Sequence, residues 1–109
     1  MPNDENEYAV IVDPAANDRM HEHFEFLAQI SEPAALKLLD GLVSDLHSLK
    51  YFPYRNPIYN RPYLPNGKYR YMLSCKRYRI VYQIERDTVY VDDIQDCRQS
   101  DKNSLLFDE

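Results

Sequence analysis

Between Lys68 and Ile94 the side chains change character residue by residue, in three successive runs separated by only a few positions. In Lys68–Ser74, Tyr69, Tyr71 and Leu73 alternate with Arg70, Met72 and Ser74. In Arg77–Glu85, Tyr78, Ile80, Tyr82 and Ile84 alternate with Arg79, Val81 and Gln83, and Thr88–Ile94 gives a third run after a turn at Glu85-Arg86-Asp87. A period of two belongs to strands, and connections this short force neighbouring strands to run antiparallel. A three-stranded antiparallel meander is the fixed point around which the remaining residues must be arranged.

The first half of the chain supplies the cover for that sheet. Tyr8-Ala9-Val10-Ile11-Val12 is a short apolar run rich in β-branched residues and is expected to form a buried strand. Asp13 can cap a helix, and Pro14 suits its first turn, where a missing N–H removes no intrahelical bond. Ala16, Met20, Phe24 (or His23) and Leu27 then recur at helical spacing, which predicts a helix to about Ile30. Ser31-Glu32-Pro33 restarts a second helix, with Ala35, Leu38, Leu39, Leu42, Leu46 and Leu49 as its apolar stripe and Lys37, Asp40, Asp45 and Ser48 facing water. So short a junction makes the two helices an antiparallel hairpin. Residues 51–67 hold Pro53, Pro57, Pro62 and Pro65 and end in Asn66-Gly67, so this is a crossover loop without regular structure. The tail is mostly polar; its Leu105-Leu106-Phe107 either docks or stays mobile. The expected class is α+β in the order β-α-α-β-β-β, an antiparallel sheet with the helical hairpin packed on one face. The expected divisions are an acidic extension over 1–6, a folded domain over 7–99 and a polar tail over 100–109.

Several function classes drop out. At 109 residues the chain makes one domain with a core of its own. No apolar run approaches the roughly 18 residues of a membrane span, and the acidic N-terminus is no secretory signal, so a cytoplasmic setting is expected. Cys75 and Cys97 are read as reduced thiols and lie in no zinc-binding pattern. Asp92, Asp93 and Asp96 invite a metal reading, but Asp92 and Asp93 are adjacent in a strand and should point to opposite faces, so a solvated edge is expected and no metal. Gly41 and Gly67, the only glycines, cannot build a phosphate-cradling loop, and nothing implies a cofactor.

Charge is unevenly spread. The net charge of −5 argues against generic nucleic-acid binding. Residues 1–50 hold 3 basic and 10 acidic side chains and residues 85–109 hold 3 and 8, whereas residues 51–84 hold 7 basic and none acidic, with 8 of the 10 tyrosines. Two readings stay open: a binding surface, or a basic sheet that merely offsets acidic helices. The sheet face away from the helices is expected to be open and to carry Arg70 and Arg79, with Met72 and Val81 beside them.

Taken together, the element order, the helix start Asp13-Pro14-Ala15-Ala16, the Tyr69-Arg70 strand, the strand Tyr78-Arg79-Ile80-Val81-Tyr82-Gln83-Ile84 and the closing Ile94-x-x-x-Arg98-Gln99 resemble the RelE/ParE toxin superfamily. The resemblance covers about residues 7 to 99. It implies the toxin, of plasmid-stabilisation type, from a type II toxin–antitoxin pair, with a cognate antitoxin as partner in a hetero-oligomer. RelE-like members cleave mRNA in the ribosomal A site, whereas ParE-like members poison DNA gyrase.

A nuclease of the first kind must activate a 2′-hydroxyl, stabilise charge at phosphate and protonate a leaving oxygen. By the resemblance Arg70, Arg79 and Arg98 stand at basic positions of such a site, but the second basic position of the Arg70 strand is Met72, and no Tyr or His follows Arg98. The incomplete set, the net acidity and the long helical hairpin favour the ParE type. Tyr54, Tyr59, Tyr63 or His47 could still supply a general acid from another place, while His21, His23 and His47 otherwise read as ordinary helix positions. Gyrase inhibition is the expected function, with mRNA cleavage and an inactive antitoxin-binding module as alternatives. In each, Arg70, Met72, Arg79, Val81 and Arg98 are the expected target- or antitoxin-binding residues, and the antitoxin is expected on the basic face and the apolar hairpin.

Overall fold

The computed structural model describes residues 7–99 and 103–107. The acidic extension expected over 1–6 lies outside the described residues, as do 100–102 and 108–109 of the tail. The elements are β1 (Ala9–Val12), α1 (Pro14–Ala28), α2 (Glu32–Ser48), a single 3-10 turn (Pro53–Arg55), β2 (Tyr69–Ser74), β3 (Tyr78–Glu85) and β4 (Thr88–Asp96).

Both helices begin where the capping residues place them. The Asp13 carboxylate accepts from the Ala15 amide at 3.0 Å, and the Ser31 hydroxyl accepts from the Ala34 amide at 3.3 Å. The hairpin they form lays Ala16 and Met20 of α1 and Leu38, Leu42 and Leu46 of α2 on Tyr78, Ile80, Tyr82, Val89, Val91 and Ile94. These side chains make one continuous core, the dominant source of stability in a domain this size.

The sheet order is β1-β4-β3-β2. The meander is antiparallel as its alternation predicts, but β1 joins β4 in parallel, with Ala9 opposite Thr88 and Val12 opposite Val91, so the sheet is mixed. The helical hairpin returns the chain to the same end of the sheet, and only the outer side of β4 offers Val89 and Val91 as helix-side neighbours. The expectation that β1 is buried is corrected here. It is an edge strand, with Ile11 half exposed and only Val10 and Val12 packed on the core.

Two irregularities set the site. The pairing of β3 with β4 slips between Val81 and Tyr82, so that Val81 faces Asp93 while Tyr82 faces Val91 and Asp92 is the extra residue of a bulge. Without the bulge Asp93 would follow Val89 and Val91 into the main core. With it, Ile94 takes that place and Asp93 turns to the other face. Asp92 contacts Gln83 on that same face, so the two carboxylates do not point to opposite sides as strict alternation predicts.

The face away from the helices is not open either. Tyr59, Tyr69 and Val81 form a second buried cluster, packed against Leu64 and Tyr71 and covered by Leu106 of the tail. Of the two alternatives for Leu105-Leu106-Phe107, docking is the one observed.

Candidate functional site

Register decides where the five expected contact residues go. Opposed residues of an antiparallel pair share a face, so Arg70, opposite Tyr82, and Met72, opposite Ile80, lie on the helix side. Arg79 and Val81, opposite Leu73 and Tyr71, lie on the other. The single basic face expected to carry Arg70 with Arg79 does not exist. Alternation fixes sides within one strand, but which parity of β2 meets which parity of β3 depends on the turn between them. Met72 is partly buried and packs on the main core, and Val81 is wholly buried in the second cluster, so Val81 presents no surface to a partner.

Arg70 is a clamp on the crossover loop. Its Nη1 donates to the carbonyls of Tyr54 and Asn56 at 3.2 and 2.6 Å, and its guanidinium lies over the Tyr54 ring at 5.2 Å. Beside it the Tyr82 hydroxyl donates to the Pro53 carbonyl at 2.6 Å and accepts from Asn56 Nδ2 at 2.9 Å. Burial is the main cause that raises the Tyr82 pKa above the ordinary tyrosine value, against lowering by the Asn56 hydrogen bond and the Arg70 and Arg55 charges.

Arg79 is held between the Tyr59 and Tyr71 rings, at 5.2 and 5.6 Å, and donates to Gln95 Oε1 at 3.1 Å. Tyr59, a candidate general acid from sequence, is itself buried and spends its hydroxyl on the same Gln95 oxygen at 3.2 Å. Gln95 passes the network on, donating to Asp93 Oδ2 at 3.0 Å and to Ser104 Oγ at 2.9 Å. Asp93 also accepts from the Ile94 amide, the Ser104 hydroxyl and the Leu105 amide, at 2.8, 3.2 and 2.9 Å. Among the described residues this wholly buried carboxylate is thus satisfied by four donors, none of them a cation. The sequence did not mark Ser104, because one polar residue among many carries no periodic signal.

Arg98 stands apart from both. It chelates Asp96 through Nε at 3.2 Å and Nη2 at 2.9 Å, with Arg77 at 3.9 Å from the same carboxylate. Burial would raise the Asp96 pKa, but hydrogen bonds from the Arg98 side chain and backbone and the charges of Arg98 and Arg77 outweigh it and hold the carboxyl below its ordinary value. Asp96 and Arg98 line a groove of about 590 Å³ with Arg19, Glu22 and His23, the last buried and hydrogen-bonded through Nε2 to the Ile94 carbonyl at 2.8 Å. His21 and His47 are exposed helix residues, Tyr54 lies at the Arg70 end, and Tyr63 packs on Phe107.

The three arginines therefore serve three places. Arg79 is on one face; Arg70 and the Arg98–Asp96 pair are on the other side, near Tyr82 and Tyr78, four residues or about 13 Å apart along β3. They do not converge on one reacting atom. Cys75 and Cys97 are free thiols, and no helix among the described residues is long and apolar enough to cross a membrane.

Comparison with known families gives a match over residues 10–100 to the ParE toxin of the parDE type II toxin–antitoxin system. Among solved structures, a chain of the chromosomal ParDE toxin–antitoxin system from P. aeruginosa superposes with a TM-score of 0.68 at 11% identity, over 83% of this chain and 96% of that one. No curated protein matches the sequence.

Proposed function

The chain belongs to the ParE toxin family of type II toxin–antitoxin systems, and from that premise we propose that it inhibits DNA gyrase in the cytoplasm and is neutralised by a cognate antitoxin. The observation that carries the choice of target is the dispersal of Arg70, Arg79 and Arg98. Cleaving a phosphodiester needs a base, an acid and phosphate-binding cations around one point, and these residues are engaged at three separate places by carbonyls, tyrosine rings and Asp96. Inhibition of a protein target asks only for a shaped surface.

For the antitoxin the best-fitting seat is the groove of about 690 Å³ between the hairpin and the β2–β3 turn, lined by Leu27, Leu38 and Cys75 and by the cations Lys37, Lys76 and Arg77 against the single acid Asp40. An apolar lining with an excess of cations suits an acidic amphipathic segment. Of the residues expected from sequence, Arg98, whose side chain is 58% exposed on the hairpin side, is the one we propose to meet acidic antitoxin side chains.

The test is inducible expression without antitoxin, with pulse labelling of DNA and protein synthesis and a supercoiling assay on purified gyrase. Early arrest of DNA synthesis with loss of supercoiling is the expected result. Early arrest of translation with cut mRNA would reject gyrase as the target, and unimpaired growth with folded protein present would leave an antitoxin-binding module.

A further inference from the structure

The crossover loop combines two properties that seldom occur together. Its backbone is tightly held: Arg70 binds the Tyr54 and Asn56 carbonyls, Tyr82 binds Pro53, and Arg55 donates to the Tyr51 and Phe52 carbonyls and to Ser48 Oγ. Yet its side chains are turned outward, with Tyr51 42%, Phe52 53%, Tyr54 47% and Ile58 44% exposed. Phe52 also adopts the left-handed conformation, at φ 52 and ψ 51, which a bulky L residue does not take without cost. With its ring more than half exposed, packing inside the chain offsets only part of this strain.

We propose that the Tyr51–Ile58 loop is the surface with which the toxin grips its target, a protein face with an apolar pocket and acidic rim; this rests on the toxin reading above and names the contact that reading leaves open. Aromatic anchors on a preorganised backbone are the composition and mechanics of an interface hot spot, because ordering costs are met before binding. The acidic rim follows from charge. Arg55 and Arg70 carry two positive charges that no carboxylate among the described residues pairs, and the neighbouring acid, Glu7, accepts from the Tyr51 hydroxyl. Nucleic acid fits less well, since the chain is acidic overall, at a net charge of −5, and the loop exposes mainly apolar and aromatic side chains.

Phe52→Gly is the decisive variant. Glycine takes a positive φ freely, so the change removes the ring while easing the backbone, and its thermal midpoint should equal or exceed that of the parent. Against purified gyrase without DNA, we expect the variant to bind ~30-fold more weakly than the parent, with Phe52→Tyr restored to near the parent value, and growth arrest in cells relieved by Phe52→Gly alone. A folded Phe52→Gly protein that binds and arrests growth like the parent overturns the proposal. If the parent arrests growth without binding gyrase, the gyrase reading fails by itself, and relief of arrest by Phe52→Gly still decides for or against the loop. Phe52-dependent binding to a bare DNA duplex, or a Phe52-dependent homodimer, would replace the protein target with those partners and overturn it.

Discussion

The backbone amide of Leu105 donates to the Asp93 carboxylate at 2.9 Å, joining the segment after the sheet to the middle of β4. Asp93 reaches this position only because the bulge at Asp92 turns it from the main core to the opposite face. Ser104 on the same carboxylate, Arg19 on the Asn103 carbonyl and Leu106 on the second cluster complete the attachment.

Asp93→Ala strips the partners from several buried donors at once, each costly to leave unpaired. The expected loss is about 3 kcal/mol of unfolding free energy by urea titration, with amide exchange at Leu105 and Leu106 becoming fast.

Asp96 sets an acid limit. Its folded pKa lies below the unfolded value, so the stability it contributes is complete at neutral pH and is lost as pH falls from about 4 through the folded value. In Arg98→Gln, the NMR titration of Asp96 should move upward, and the acid limb of the stability curve should become shallower.

Tyr82 sets the opposite limit. Burial raises its folded pKa above the unfolded tyrosine value of about 10, so its contribution is complete below that pH and is lost as pH rises through the folded value. Tyr82→Phe should remove part of the alkaline destabilisation while costing about 1–2 kcal/mol at neutral pH, through the orphaned Pro53 carbonyl and Asn56 amide.

Gly41 and Cys75 are coupled. A Cβ at residue 41 would stand 2.5 Å from Cys75 Sγ, so Gly41→Ala should not show the roughly 1 kcal/mol gain of a helical Gly-to-Ala change. That gain should reappear in a Cys75→Gly background, and a double-mutant cycle by thermal denaturation reads the difference. Cys75 and Lys76 both have positive φ, at 53° and 65°, in the short connection left between Ser74 and its strand partner Tyr78. Lys76→Gly should therefore add about 0.5–1 kcal/mol on its own.

Much of this architecture is legible before any coordinates. Asp13-Pro14 and Ser31 mark the helix starts because capping is a local interaction, and the leucine stripe of α2 and the alternation of β2 and β3 name the main core. What escaped was set between segments. Parallel pairing of β1 leaves no trace in its own residues. The opposite placing of Arg70 and Arg79 is a matter of strand parity across the Ser74–Arg77 turn, and the bulge at Asp92 breaks the periodicity that would reveal it. The docking of Ser104 draws on Asp93 and Gln95, polar residues that sequence patterning assigns to water.

β1 has a bearing on when the fold can close during the protein's own synthesis. Its hydrogen-bond partner is Thr88–Val91, made 79 residues later in a chain of 109, and the second cluster waits longer still, for Leu106. A nascent chain that has emerged only through the helices and the crossover loop has neither a paired first strand nor a closed sheet. The loop is clamped by Arg70 and Tyr82, which follow it. The sheet thus cannot close, nor the second cluster be covered, until the last residues of the fold have left the ribosome.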